Sequence, residues 1–591
     1  MSNIPRLLTS RRCYYIAIVG ALGAFLPSLH SQSVSTTPTK RIPTPAELTK
    51  YDKNANGVLE ADEQAAFEAG EKTDAVLLTP FEVSTDKDRG YAAGNTLAGG
   101  RVDTPLALTP SSISIMTKEF LDDFAITDSN AALQWSMNAD IAGNPTQGPF
   151  GGDRFEANVR GAGGQGAGAY PVRDGLQQYW IADSYNSERF ETISGPNSAV
   201  SGLGGPGGLV GSSSKRGRFN NRSGSFSARV DSFGGYRSTF DYNVGFDRVA
   251  FRVNALHQNI KDIQDYTSNK QNGITLAANF KITPKTLLSV QFERSAEWNI
   301  QYRRTYGEQA SFWNRVTVNA DNSALTTTGT GLSQISATND RLTYNFSTGT
   351  LLNYKGNQYQ TTGLGYQIPW GGRPDLPQEW QGTRNFKSSM GKTFFLGPID
   401  SIADRDLNAQ QAVLEHTFTP NLSARLTWQA SDVDPTVPYS QGQPGDYRID
   451  VNRLLPDGVT TNPNYLRAYS DWTPNSQHQT DNLTEYVGQV NYRFALPRLF
   501  DLKQRFNLIA GRRFKDIDAW DRRFARNNNP AQPDPLNANN TLTFRQYYGD
   551  KPAKQADILN FAAVNKLSPG MTFDNYGTTG YHNFATRGLK Y

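Results

Sequence analysis

Near the N-terminus, oxygen-bearing residues fall at the spacing that coordinates a hard cation. Asp52, Asn54 and Asn56 stand at positions one, three and five of a twelve-residue stretch, and Gly57 stands at position six, where the turn is sharp. Val58 offers its carbonyl, Glu60 reaches the ion directly or through water, and Glu63 closes the set with a bidentate carboxylate. The chemistry this predicts is calcium binding. A single such loop binds modestly, which suits an extracytoplasmic compartment, where dissociation constants of about 10⁻⁴ to 10⁻³ M suffice. Holding the ligands in place requires short helices on either side, expected over 45–51 and 61–69, the second ending at Gly70. A surface turn of the same composition is the plainer alternative.

Little else in the chain has the pattern of reactive chemistry. The five histidines, His30, His257, His416, His478 and His582, are scattered, with no H-E-x-x-H pair and no G-x-S-x-G elbow, so an enzyme is not expected. Two glycine runs, Gly161/Gly163/Gly166 and Gly202/Gly204/Gly207, fit G-x-G-x-x-G but lack the strand, helix and later acidic residue of a dinucleotide site; they read as tight turns. Cys13 is the only cysteine, which excludes disulfides and thiol chemistry downstream. With 59 basic and 55 acidic residues, the net charge of +4 is too dilute for a nucleic-acid partner.

Arg6, Arg11 and Arg12 precede an apolar run over 13–27 and then Ser28, Ser31 and Ser33, so residues 1–31 are expected to be a signal peptide; the run is short for a membrane span. A mean hydropathy of −0.57 excludes a bundle of membrane helices. It leaves a membrane β-barrel open, because lipid-facing and lumen-facing residues alternate there. Such alternation begins after Asn221. Phe226, Ala228 and Val230 interleave with Ser225, Ser227 and Arg229; Phe240, Tyr242 and Val244 with Thr239, Asp241 and Asn243; Phe251, Val253 and Ala255 with Arg252 and Asn254. Hairpins are expected around Thr283-Pro284-Lys285 and Thr419-Pro420-Asn421, and between 486–494 and 506–514. Alternation alone fits a soluble β-sandwich wetted on one face equally well.

One segment resembles a known family. Ser187, Glu188, Arg189, Phe190 and Glu191 lead to Gly195 and Pro196, and a Gly-rich stretch with Gly204, Gly207 and Gly208 follows, ending at Lys215 and Arg216. This resembles the plug of TonB-dependent outer-membrane receptors, with small polar residues at Gly211, Ser212 and Ser213 where the family is apolar. Upstream, Ile113, Ile115 and Thr117 alternate as in an early plug strand, and Phe120, Leu121 and Phe124 mark one face of a helix. Asp74, Ala75, Val76, Leu77, Leu78 and Thr79 look like a TonB box, an extended segment able to add to the sheet edge of a partner.

The resemblance implies a mainly β chain with the TonB box and linker over 73–84, an α+β plug over 85–221 and an antiparallel transmembrane barrel over 222–591; the ligand spacing puts an EF-hand-like segment ahead of them, over 32–72. It also implies the outer membrane of Gram-negative type as location, with the N-terminal segment in the periplasm. The implied partners are a TonB-type energy-coupling protein, outer-membrane lipid and a scarce solute: an iron chelate, a cobalamin or a glycan. A plugged transporter of about 22 strands needs more chain than remains, since 299–407 shows no sustained alternation, so an incomplete barrel, a truncated copy, is expected. Of the loop aromatics Trp313, Tyr354, Tyr359, Trp370 and Trp380, packing or membrane-interface roles are expected before solute stacking. A calcium-dependent adhesion protein anchored by a barrel is the alternative from another class.

Overall fold

Period-two alternation produces strands, and in this chain the strands are long. The computed structural model describes residues 81, 88, 90–96, 102–106, 109, 112–141, 157–161, 170–178, 180–195, 207–263, 265–300, 305–310, 312–313, 318–322, 329–335, 341–354, 356, 358–363, 367–369, 402–437, 446–473, 475–496, 502–535, 537–550, 565–567, 570–578 and 586–587. The calcium-loop residues Asp52, Asn54, Asn56, Val58, Glu60 and Glu63 lie outside them. So do residues 74–79, Pro196 and Gly204 of the plug motif, and Trp370 and Trp380.

Among the described residues an eleven-stranded antiparallel sheet runs in chain order from Arg222–Val230 through Tyr236–Gly245, Val249–Ile260, Ser268–Thr283, Thr286–Ile300, Ile402–Thr419, Leu422–Val437, Asn475–Leu496 and Leu502–Arg526, with the short strands Phe573–Thr578 and Thr586–Arg587 pairing onto the last of these. The expected turns fall where the sequence puts them: Thr283 pairs with Thr286 and Thr419 with Leu422, each next to a register shift. The hairpin of 486–494 and 506–514 forms, and both arms run much further, to 22 and 25 residues. About 9–11 residues cross a bilayer, so these strands continue well past it.

The orientation of the alternation decides between barrel and sandwich. Phe226 is 70% exposed, Leu426 61% and Leu508 70%, and such residues meet across strands, as Leu276 does with Phe292 and Val490 with Leu508. The opposite face buries Arg252, Asn254, Thr275, Asn279, Glu293, Glu415 and Arg425. A sandwich buries its apolar face against a second sheet. Here the apolar face is outward and the polar face inward, the arrangement of a membrane wall around a polar interior. Among the described residues the outer edge of Arg222–Val230 has no partner strand, and every residue of that strand is exposed.

Inside the wall lies a five-stranded plug sheet in the order Ser112–Met116, Ser187–Ser194, Gly208–Ser214, Tyr170–Arg173, Leu176–Gln177. The expected helix is Lys118–Asp123, capped by Thr117, whose side chain accepts from the Phe120 amide; a second, Ser129–Leu133, is capped by Asp128. Met116, Leu121, Ile126, Ala132, Ala182 and Phe190 pack beneath them. The small polar run at Gly211, Ser212 and Ser213 does not prevent a strand, because Leu209 and Val210 anchor it and Gly211 pairs with Glu191.

The long connections have structure of their own. Short strands from 305–369, 446–472 and 543–547 assemble a seven-stranded sheet containing Thr305–Glu308, Gln367–Pro369, Arg341–Asn345, Thr350–Tyr354, Asp446–Ile449, Ala468–Trp472 and Thr543–Tyr547. Tyr359 is buried with Tyr447, Ile449 and Tyr548, with Trp313 packed against them, while the Tyr354 ring lies 5.0 Å from the Arg545 guanidinium. The described loop aromatics therefore pack the loops, as expected.

Candidate functional site

The plug strand Ser187–Ser194 is buried almost throughout, so its charged residues must find partners. A bulge between Ser187 and Arg189 takes Glu188 out of register. That directs its carboxylate toward the wall, where Oε1 accepts from Arg252 Nη1 at 2.5 Å and from Arg218 Nη2 at 3.1 Å. Arg252 is also held in a fork by Asp241, Nε to Oδ1 at 2.8 Å and Nη2 to Oδ2 at 2.7 Å. Lys215 completes the group, 3.0 Å from Asp241 Oδ2 and donating to the Tyr185 carbonyl at 2.9 Å. Burial alone would raise the Glu188 pKa; Arg252, Arg218 and Lys215 outweigh it and hold the carboxyl below its ordinary range. Burial pushes the Lys215 ammonium the other way, below the usual lysine range, against the pull of Asp241 and Glu188.

Two more ion pairs join plug to the same side of the wall. Arg237 forks onto Asp183, with Nη1 to Oδ2 at 3.0 Å. Arg173 pairs with Glu293, whose Oε1 also accepts from Asn186 Nδ2 at 2.7 Å and Tyr185 OH at 3.3 Å. Tyr185 lies so close to the wall that a Cβ on Gly273 would stand 2.9 Å from its ring. Strands 402–526 also meet the plug through neutral acceptors: Arg425 donates to the Phe81 carbonyl at 3.2 Å, Gln429 to the Gln177 carbonyl at 3.0 Å, and Arg505 to the Asp103 carbonyl at 3.2 Å and the Thr104 hydroxyl at 3.0 Å.

Between these two regimes is a polar cavity of about 30 Å³, lined by Arg173, Gln178, Trp180, Gln291 and Ser431 among others. Each of these five carries a buried polar atom without a protein hydrogen-bond partner. Unpartnered polar atoms and that much room suit water.

Of the residues expected from sequence, Gly195, Gly207 and Gly208 meet at one end of the strand Ser187–Ser194, and Glu188 and Arg189 lie at its other end. The Gly195 amide bonds to the Gly207 carbonyl at 2.8 Å, and Gly208, at φ +138°, passes so close to Ile193 that a Cβ would stand 1.9 Å from its carbonyl oxygen. Arg189 faces away from Glu188, wholly buried, paired with Glu191 and donating to the Asn95 carbonyl at 2.9 Å. Alternation places Asp241 and Arg252 on a polar face without marking them as partners of Lys215 and Glu188. Charges at inward positions of otherwise neutral strands were the available signal. Among the described residues no group of three or more His, Cys, Asp or Glu could hold a metal ion.

The arrangement joins plug and wall through buried ion pairs and hydrogen bonds. A family model described as the TonB-dependent receptor plug domain matches residues 105–209. The chain is 31% identical over 209 residues to the metal-pseudopaline receptor CntO of Pseudomonas aeruginosa, covering 35% of this chain and 29% of that one. It is 30% identical over 200 residues to the ferrioxamine receptor of Yersinia enterocolitica, covering 31% and 26%. These matches span less than a third of either relative. Among solved structures, the pyoverdine outer-membrane receptor FpvA of P. aeruginosa bound to pyoverdine superposes with a TM-score of 0.50 at 14% identity, over 76% of this chain and 52% of that one. The siderophore receptor PiuA of Acinetobacter baumannii gives 0.49 at 14%, over 83% and 56%.

Proposed function

Starting from a chain that carries a TonB-dependent receptor plug inside a wall with the fold of the receptor barrel, we propose that this outer-membrane protein takes up a metal chelate of the siderophore or metallophore class, driven by a TonB-type partner pulling on residues 74–79. Relatives named for pseudopaline and ferrioxamine support a chelate over a cobalamin or a glycan. The observation that carries the reading is the plug–wall boundary: buried ion pairs on one side, where Glu188 meets Arg252, and hydrogen bonds to neutral groups such as the Phe81 and Gln177 carbonyls on the other. A seal of that kind stays shut at rest and yields on one side to force.

The test is uptake of iron-55 presented as a hydroxamate or carboxylate chelate by cells expressing the chain, with and without the energy-coupling protein. Uptake that needs the partner, and falls to background when 74–79 is deleted, supports the reading. Uptake indifferent to both would refute it and leave calcium-dependent surface adhesion as the alternative.

The ligand spacing at Asp52, Asn54, Asn56, Val58, Glu60 and Glu63 supports a second element of the proposal, a calcium-binding loop ahead of the coupling segment. Isothermal titration of the whole chain against the Glu63→Gln variant at millimolar calcium tests it; equal heats would remove calcium from the account.

A further inference from the structure

We propose that Arg425 is a positioning residue that holds the chain just after the coupling segment at the short-turn rim of the wall, by gripping the Phe81 carbonyl. The proposal rests on the reading of 74–79 as the segment that is pulled.

Phe81 follows Thr79 by two residues, and its side chain is buried. Its carbonyl accepts from Arg425 Nη1 at 3.2 Å. Arg425 lies three residues beyond Leu422, where the short Thr419–Leu422 turn closes, so it belongs to the short-turn rim of the wall, the periplasmic one. Directly across the register is Glu415, 1% exposed, with Oε1 3.6 Å from Arg425 Nε. A carboxylate buried that deeply needs a cation beside it. Glu415 therefore fixes where the guanidinium sits, and another of its donors is left to read the chain passing by. Because the acceptor is a main-chain carbonyl, the grip acts on the backbone that carries tension.

Further described contacts follow along the chain, beginning with Asp88 Oδ1, 3.8 Å from Arg189 Nη1. Thr117 Oγ1 donates to the Gly90 carbonyl at 2.8 Å, Arg189 Nη1 holds the Asn95 carbonyl, and Thr96 Oγ1 donates to Glu191 Oε2 at 2.9 Å. Among the described contacts, a pull on the chain ahead of Phe81 meets the Arg425 contact before those at Asp88, Gly90, Asn95 and Thr96.

The experiment uses the full chain carrying Thr79→Cys and Cys13→Ser, in isolated outer membranes without energy or solute, and reads the rate of labelling by a membrane-impermeant maleimide. The Glu415→Gln/Arg425→Leu pair removes the grip without stranding a charge, and should label about tenfold faster, as expected for losing a hydrogen bond from a charged donor. A heat-modifiable band shows that the wall is intact. An unchanged rate in a variant that keeps the band overturns the proposal. Should the double variant lose the band, Arg425→Lys decides: faster labelling supports the grip, and an unchanged rate overturns it. Deleting 74–79 and measuring uptake is a separate readout. If uptake survives the deletion while labelling still depends on Arg425, the coupling role fails and the grip stands.

Discussion

Glu188 and Arg252 approach to 2.5 Å across the boundary between plug and wall, with both side chains buried and Asp241 bracing the arginine from its far side. Breaking such a pair from one side strands a charge and costs about 3–5 kcal/mol, whereas replacing both partners is often nearly neutral. Glu188→Gln or Arg252→Gln alone should loosen the plug by roughly that amount. Combining Glu188→Gln with Arg252→Met should recover most of it. Protease nicking of the plug in intact outer membranes separates the three variants, and equal protection in all of them would contradict the account.

Acid should act through the same carboxylate. The Glu188 pKa is depressed in the folded protein, so its contribution is complete above the unfolded value of about 4.3. The contribution disappears as pH falls through the lower folded value. Plug protection is therefore expected to hold from neutrality to about pH 4 and to fail below it, followed with an acid-active protease. Protection lost between pH 7 and 5 would point to another group.

Gly208→Ala should prevent the plug sheet from forming. The new methyl would overlap the Ile193 carbonyl oxygen at 1.9 Å, at a φ of +138° that side chains rarely adopt. Backbone strain of about 1–3 kcal/mol adds to the lost pairing between Gly208–Ser214 and Ser187–Ser194. The expected result is a chain whose wall still shifts on a heat-modifiability gel while its plug is digested.

The loop sheet has its own keystone. Arg545 is wholly buried, forks onto Asp471 at 2.7 and 2.9 Å, donates to Tyr354 OH at 2.8 Å and lies 3.8 Å above the Tyr469 ring. Burial pushes the Tyr469 hydroxyl up to about 12, so it stays neutral beside this network. Lysine cannot reproduce the fork. Arg545→Lys should cost about 3 kcal/mol and raise hydrogen exchange in 341–354, 468–472 and 543–547, with exchange in the wall strands unchanged.

The wall hairpins were legible because they are long enough for a period of two to stand out, with Thr-Pro turns marking one end. The plug was legible through Glu188, Arg189 and the glycines after them, whose chemistry is local. The loop sheet was not: Arg341–Asn345 and Thr543–Tyr547 have five residues each and pair in parallel across two hundred positions, so no window along the chain contains the pairing. The Glu188–Arg252 contact was hidden for a related reason. Alternation says that Arg252 faces inward, and says nothing about which plug residue reaches its level.

The reach of the last two long strands sets where a solute is first met. At about 3.3 Å per residue, a strand of 25 residues has a contour length of about 80 Å, and crossing the bilayer uses less than half of it. What remains stands above the lipid like a parapet and raises the loop sheet with it. Capture and permeation are therefore separated in height. Under the proposed uptake, a chelate would be met first at the parapet, in bulk water and beyond the headgroups, before any motion of the plug.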